Sequence, residues 1–216
     1  MAEIAQQKMQ QDPEYYFTIE KVSTAEFKDR GSKFLAFAYP VTSKDQFKTI
    51  LQLLKKEHPK AAHYCFAYRI GWEGLEFRMS DDGEPSGSAG RPIMGQLESR
   101  QLVDTAVIVV RYFGGTLLGV PGLINAYKSA ASLALQTVPV IRKPIELEYQ
   151  LDFDYTLMNE VMRVLKQFNC RIIRQDLQLF CTMTVGIPMV HLKDALHRIN
   201  EIHGLTSSVI QTGMKP

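Results

Sequence analysis

Tyr15–Glu20 and Lys33–Tyr39 are short apolar runs rich in aromatic residues, which predicts strands, joined by a turn through Lys28, Asp29, Arg30 and Gly31. From Ser43 to about His58 the period is that of a helix. Phe47, Ile50, Leu51 and Leu54 share one face, Ser43 stands where an N-cap is needed, and Pro59 ends the run. Lys44, Lys48 and Lys55 fall on a single flank of that helix, either as phosphate contacts or as an ordinary solvated stripe. His63–Ile70 reads as a strand of period two. It places His63, Cys65, Ala67 and Arg69 on one face, and Tyr64, Phe66, Tyr68 and Ile70 on the other, an aromatic row suited first to a core and second to base stacking. Leu75, Phe77 and Met79 alternate with Glu76 and Arg78 in a further strand. Val107–Val110 is a β-branched run suited to a strand covered on both faces, and Gly122–Thr137 reads as a helix with Pro121 at its first position.

Val138 and Pro139, then Arg142, Lys143 and Pro144, punctuate the chain. They divide it into a tail (1–14), a first domain (15–139) and a second (140–216). In the second, Ile145, Leu147, Tyr149, Leu151 and Phe153 alternate. A helix through Leu157, Val161, Leu165 and Phe168 follows, then strands near 171–174 and 179–185, a helix from Pro188 to about Ile202 and a strand near 206–211. This βαββαβ order is ferredoxin-like, and the domain has neither a Cys/His cluster at metal spacing nor a nucleophile beside a base. Its expected role is positioning or binding, with a sheet edge available to a protein partner.

Composition fits packed cores: 45% of the 216 residues are hydrophobic. Cys65, Cys170 and Cys181 are odd in number and widely spaced, which points to free thiols in a reducing compartment. There is no apolar secretory core near the start and no membrane-length apolar run, so a cytoplasmic protein is expected. The net charge of +2 is unevenly spread. Lys21–Lys60 carries nine basic residues against four acids, and Ala61–Asp104 four against seven. No carboxylate falls between Asp104 and Glu146, an interval that holds Arg111, Lys128, Arg142 and Lys143. A fold that gathers the first and third blocks would present a basic surface.

Two segments carry candidate chemistry. VIVVRYFGGTLLG, at 107–119, runs a buried strand into Arg111, Tyr112, Phe113, Gly114 and Gly115 just before a helix N-terminus, the arrangement of an anion site or of a tight turn with a paired arginine. Both glycines are expected to adopt a positive φ or a close backbone approach. SDDGEPSGSAGRP, at 80–92, offers Asp81, Asp82 and Glu84 as oxygen ligands for a hard cation such as Mg²⁺, and Ser86 and Ser88 as anion contacts; turn chemistry explains the same residues. The acidic loop holds no basic partner except Arg91, and the strand arginine has no nearby acid. The two segments are therefore expected to meet in one cleft.

Ala62, His63, Ala67, Tyr68 and Arg69, then Ser80–Pro92, then Arg111–Gly115 with Leu118 and Gly119, and then Gly122, Leu123, Ala126 and Tyr127 together resemble the bacterial YigZ branch of the IMPACT family. Ser88 stands where many relatives carry threonine. The resemblance implies an α+β, two-domain fold: an N-terminal α/β sandwich similar to a ribosomal-protein domain and to domain IV of elongation factor G, and a ferredoxin-like C-terminal domain. Eukaryotic relatives have a further N-terminal protein-binding domain, which the fourteen residues before Tyr15 are too few to encode, so their kinase-regulating role is not expected here. The leading expectation is an RNA- or ribosome-associated binding protein, a translation regulator without a cofactor. Arg111, Lys128 and Arg91 would contact anions, Tyr112 or Phe113 would stack, and Lys33 and Lys48 would assist. Some relatives carry a dipeptidase label, so a second expectation is a metal-assisted hydrolase or transferase using His63, Asp82, Glu84 and Arg111. A third is a protein-interaction adaptor.

Overall fold

The structure, a computed structural model, describes residues 14–210; the expected tail falls almost wholly outside them. The chain divides into two compact units, Tyr16–Lys143 and Pro144 onward, the latter together with Glu14 and Tyr15. The first is built from β1 (Tyr15–Ile19), β2 (Ser23–Asp29), β3 (Ser32–Pro40), α1 (Lys44–Glu57), β4 (His63–Ile70), β5 (Glu76–Ser80), α2 (Gly90–Ser99), β6 (Thr105–Tyr112), α3 (Gly119–Gln136) and β7 (Val140–Pro144). Five strands form an antiparallel sheet in the order β2-β3-β6-β4-β5, while β1 pairs with β7 in a separate ribbon.

The central position of β6 explains its apolar run, since Thr105–Val110 is buried throughout and must satisfy helices on both faces. On one face α1 lays Phe47 against the rings of Phe66 and Tyr68, which makes the aromatic row of β4 core. Ser43 caps α1 by accepting a hydrogen bond from the Gln46 amide, as its position predicts. On the other face α2 and α3 cover Phe34, Ala36, Cys65, Ala67, Val107 and Val109; the small Ala126, Ala130, Ala131 and Ala134 let α3 approach closely.

Several details depart from the sequence pattern. β1 and β3 are not a hairpin; the unforeseen β2 intervenes and pairs with β3 through Arg30 and Gly31, both at positive φ, as a two-residue hairpin turn requires. A further helix, α2, starts inside the acidic loop. α3 begins at Gly119, so Pro121 occupies its third position, where the missing N–H is still one of the unpaired four. Because β7 pairs with β1, the first unit runs to Lys143 and not to 139.

The second unit comprises β8 (Glu146–Asp154), α4 (Met158–Gln167), β9 (Arg171–Asp176), β10 (Phe180–Pro188), α5 (Leu192–Asn200) and β11 (Thr206–Val209). The strands pair antiparallel in the order β11-β8-β10-β9, the ferredoxin-like arrangement. Leu151, Phe153, Met183 and Val185 form its core with Val161, Leu165, Ala195 and Ile199. No helix among the described residues is long and apolar enough to cross a membrane.

Candidate functional site

In the register of the first unit's sheet, Arg111 lies directly opposite His63 on β4 and Phe34 on β3, all three pointing to the α2/α3 side. The loop after β5 brings Glu84 onto them. Arg111 Nη1 donates to Glu84 Oε1 at 2.6 Å, and the Tyr127 hydroxyl of α3 donates to the same oxygen at 2.7 Å. Of the two expectations for Arg111, an anion contact or an arginine paired with a carboxylate, the structure has the pair: Arg111 is only 5% exposed and its charge is matched by the buried Glu84. Nη2 reaches Ser32 Oγ at 3.4 Å, and Nε has no hydrogen-bond partner. The rings of Phe34 and Phe113, 5.4 and 5.6 Å from the guanidinium carbon, supply cation–π attraction that offsets part of the cost of that orphaned donor. His63 Nδ1 is 2.8 Å from the Asp82 carbonyl oxygen, which can only accept, so Nδ1 carries the proton and Nε2 of the neutral ring is an acceptor, 3.9 Å from Glu84 Oε1. These groups border a cleft of about 340 Å³ walled by Pro85, Phe113, Leu117, Leu118, Val120 and Leu123.

The acidic loop and the arginine strand thus share one cleft, but the three carboxylates do different work. Asp81 closes the start of α2: Oδ1 accepts from the Ala89 and Gly90 amides and Oδ2 from Gly87, which satisfies N–H groups that no adjacent side chain caps. Asp82 accepts from the Tyr64 amide at 2.7 Å. No cluster of three or more His, Cys, Asp or Glu positioned to hold a metal occurs among the described residues. Ser88 is buried with its hydroxyl on the Pro85 carbonyl, and Ser86 is exposed. Burial pushes the Asp81 carboxyl up, but the three amides outweigh it and hold it below its ordinary value. Its contribution to stability is therefore complete above pH ~4 and lost as pH falls through the lowered value. Asp81→Ala should cost about 1–2 kcal/mol, the scale of a lost helix cap, in urea denaturation at neutral pH, and the difference from the parent should shrink in acid.

At the turn, Gly115 has φ +84°, and a Cβ on Gly114 would overlap the carbonyl of Gly31 and the amide nitrogen of Ser32. The Gly114 amide donates to Ser32 Oγ. Arg91 and Lys128 are exposed on α2 and α3. Sequence reasoning missed Ser32 and gave Tyr127 no role, although a tyrosine among the alanines of α3 is a visible signal of a large side chain with a polar tip. Cys65 donates to the Tyr127 hydroxyl, and burial pushes its thiol well up; burial likewise pushes Cys170 up to about 11, so neither is primed as a nucleophile.

Tyr112, Lys33 and Lys48 lie on the α1 side and do not join the cleft. Here α1 buries β4 and β6, whereas Leu35, Phe37 and Tyr39 of β3 are only partly covered. The rings of Phe37 and Tyr39 stack at 6.5 Å with 22° between planes, His58 packs 5.6 Å from Phe37, and Tyr112 places its hydroxyl 3.0 Å from His58 Nδ1. Lys28 and Lys33 flank this row, both paired with Glu26 at the surface, while Lys48 pairs with Asp45 on α1. The row had a signal, the aromatic run of β3, which gave the strand without its exposure.

The family model of the Impact N-terminal domain matches residues 30–135, a span that includes both the cleft and the aromatic row. IMPACT family member YvyE of Bacillus subtilis is 35% identical over 152 residues, 70% of this chain and 70% of its own length. The chain belongs to the IMPACT family. Another member, YigZ of Escherichia coli, is 33% identical over 161 residues, 74% of this chain and 79% of that protein. A crystal structure described as that of a hypothetical protein shares this IMPACT chain's fold at a TM-score of 0.74 and 28% identity, covering 93% of this chain and 100% of the other.

Proposed function

We propose that this IMPACT-family chain is an RNA- or ribosome-associated binding protein acting in translation, and that the partly open face of β3 is its contact surface. The observation that carries the reading is the stacked, partly exposed pair Phe37 and Tyr39 beside Lys28 and Lys33. A sheet face bearing aromatic rings offers π-surfaces to unstacked bases, and flanking lysines neutralise phosphates. The lysines' present pairs with Glu26 are exposed and of the kind worth under about 1 kcal/mol, so they exchange readily for phosphate. The charge balance of the unit agrees: Tyr16–Lys143 carries 17 Lys and Arg against 12 Asp and Glu, while the rest of the chain is net acidic. The likeness to ribosomal-protein and elongation-factor domains that the family resemblance implies points the same way.

Ultraviolet crosslinking in cells, followed by peptide mapping, should recover RNA attached to the β3 peptide, and binding to single-stranded RNA should weaken with salt. Neutralising about four phosphates gives a log–log slope near −2.8, and Lys33→Gln should flatten it by roughly 0.7. Recovery of no RNA, or crosslinks confined to residues beyond Lys143, would remove the proposal.

A further inference from the structure

His63 Nε2 and Glu84 Oε1 stand 3.9 Å apart at the edge of the cleft, too far for a direct hydrogen bond and near enough for one donor group to serve both residues. Each residue keeps an acceptor atom that the protein does not fill. The Asp82 carbonyl fixes the His63 tautomer so that the Nε2 lone pair is available, and both hydrogen bonds to Glu84 fill Oε1, which leaves Oε2 of the same carboxylate without a protein donor among the described residues. The one carboxylate and the one guanidinium that line the cleft, Glu84 and Arg111, pair with each other, so its open polar atoms are acceptors and call for a ligand that donates hydrogen bonds. The remaining wall is apolar: Phe113, Leu117 and Val120 are exposed, Leu117 at 82%. Exposed aliphatic and aromatic side chains bordering a concave surface with a few convergent polar groups have the composition of a small-ligand site.

We propose that the cleft binds a primary amine carried on an apolar body, the ammonium donating to His63 Nε2 and to the Glu84 carboxylate while the body lies against Phe113, Leu117 and Val120. Three N–H donors on one centre suit two acceptors on different residues, whereas a carboxylate has no hydrogen to donate to either. Since β3 presents its aromatic row on the opposite face of the sheet, this site is independent of the RNA surface and does not stand or fall with it.

Full-length protein, isotope-labelled at its histidine ring nitrogens, is titrated at neutral pH with benzylamine, benzyl alcohol and benzoate, and affinities are taken from ligand-observed NMR. Benzylamine should shift the His63 resonance saturably, benzyl alcohol should bind about tenfold more weakly or worse, and benzoate should leave His63 unmoved. Leu117→Ser, at a position too exposed to threaten folding, should weaken benzylamine about fivefold or more, and His63→Phe about tenfold or more. Lys33→Gln should change nothing. Equal or tighter binding of benzoate or benzyl alcohol, an unperturbed His63, or unchanged affinity in either Leu117→Ser or His63→Phe would overturn the proposal.

Discussion

Arg111→Met should lower the stability of the first unit by about 3–5 kcal/mol, the cost of removing one partner from a buried ion pair. Both side chains are nearly inaccessible, at 6% and 4% exposure, so water only poorly replaces the lost guanidinium around Glu84. The Tyr127 hydroxyl would remain as the carboxylate's donor, too little to solvate a full charge in an apolar setting. Adding Glu84→Gln should return most of the loss, because a neutral amide keeps an acceptor for Tyr127 and leaves no uncompensated charge. Urea denaturation of the two variants measures both effects. A single-variant loss below about 1 kcal/mol, or a double variant no better than the single, would show that the pair is not what organises the cleft.

Gly114→Ala should be nearly as damaging, by about 3 kcal/mol, through overpacking against atoms that cannot rotate away. The new methyl would meet main-chain atoms of Gly31 and Ser32, so the β2–β3 turn itself has to move. Gly115→Ala separates this cause from backbone strain. It has φ +84° but open space around the added carbon, so only the strain of a positive φ applies, about 1–3 kcal/mol. A melting experiment in which Gly115→Ala loses clearly more than Gly114→Ala would contradict the packing described for this turn.

Much of the architecture was legible because burial and period coincide. β4 shows its two faces in its own alternation, the ferredoxin-like unit declares itself from Ile145 to Phe153, and Ser43 stands in front of a helix it caps. β2 was hidden because its partly buried side is short, Ser23 and Ala25 with Phe27 as the one strong marker, and its other side is Thr24, Glu26 and Lys28. α2 was hidden for a different reason. Gly90, Pro92 and Gly95 are poor helix formers, and the carboxylate that satisfies its first amides belongs to Asp81, eight residues before Ala89, where no local capping pattern reveals it.

The cleft was legible as a charge inventory: an acidic loop without bases and an arginine without acids implied each other, and the structure joins Arg111 to Glu84. Which way the arginine faces was not legible. Val107–Val110 is apolar at every position, so it carries no contrast between faces that would place Arg111 on the α2/α3 side and Tyr112 on the other. The same lack of contrast hid the division of the expected nucleic-acid residues, with Arg111 and Phe113 at the cleft and Tyr112, Lys33 and Lys48 on the α1 side. Phe37 and Tyr39 escaped notice because an alternating aromatic pair reads as core until the extent of α1 is known.

The RNA reading rests on that pair, and fluorescence anisotropy with a labelled single-stranded RNA tests it most directly. Phe37→Ala and Tyr39→Ala should each weaken binding by about 1–3 kcal/mol, the worth of a stacked base, with the salt slope unchanged because no phosphate contact is lost. Wild-type affinity in both variants, or no binding by the parent chain at low salt, would contradict the account.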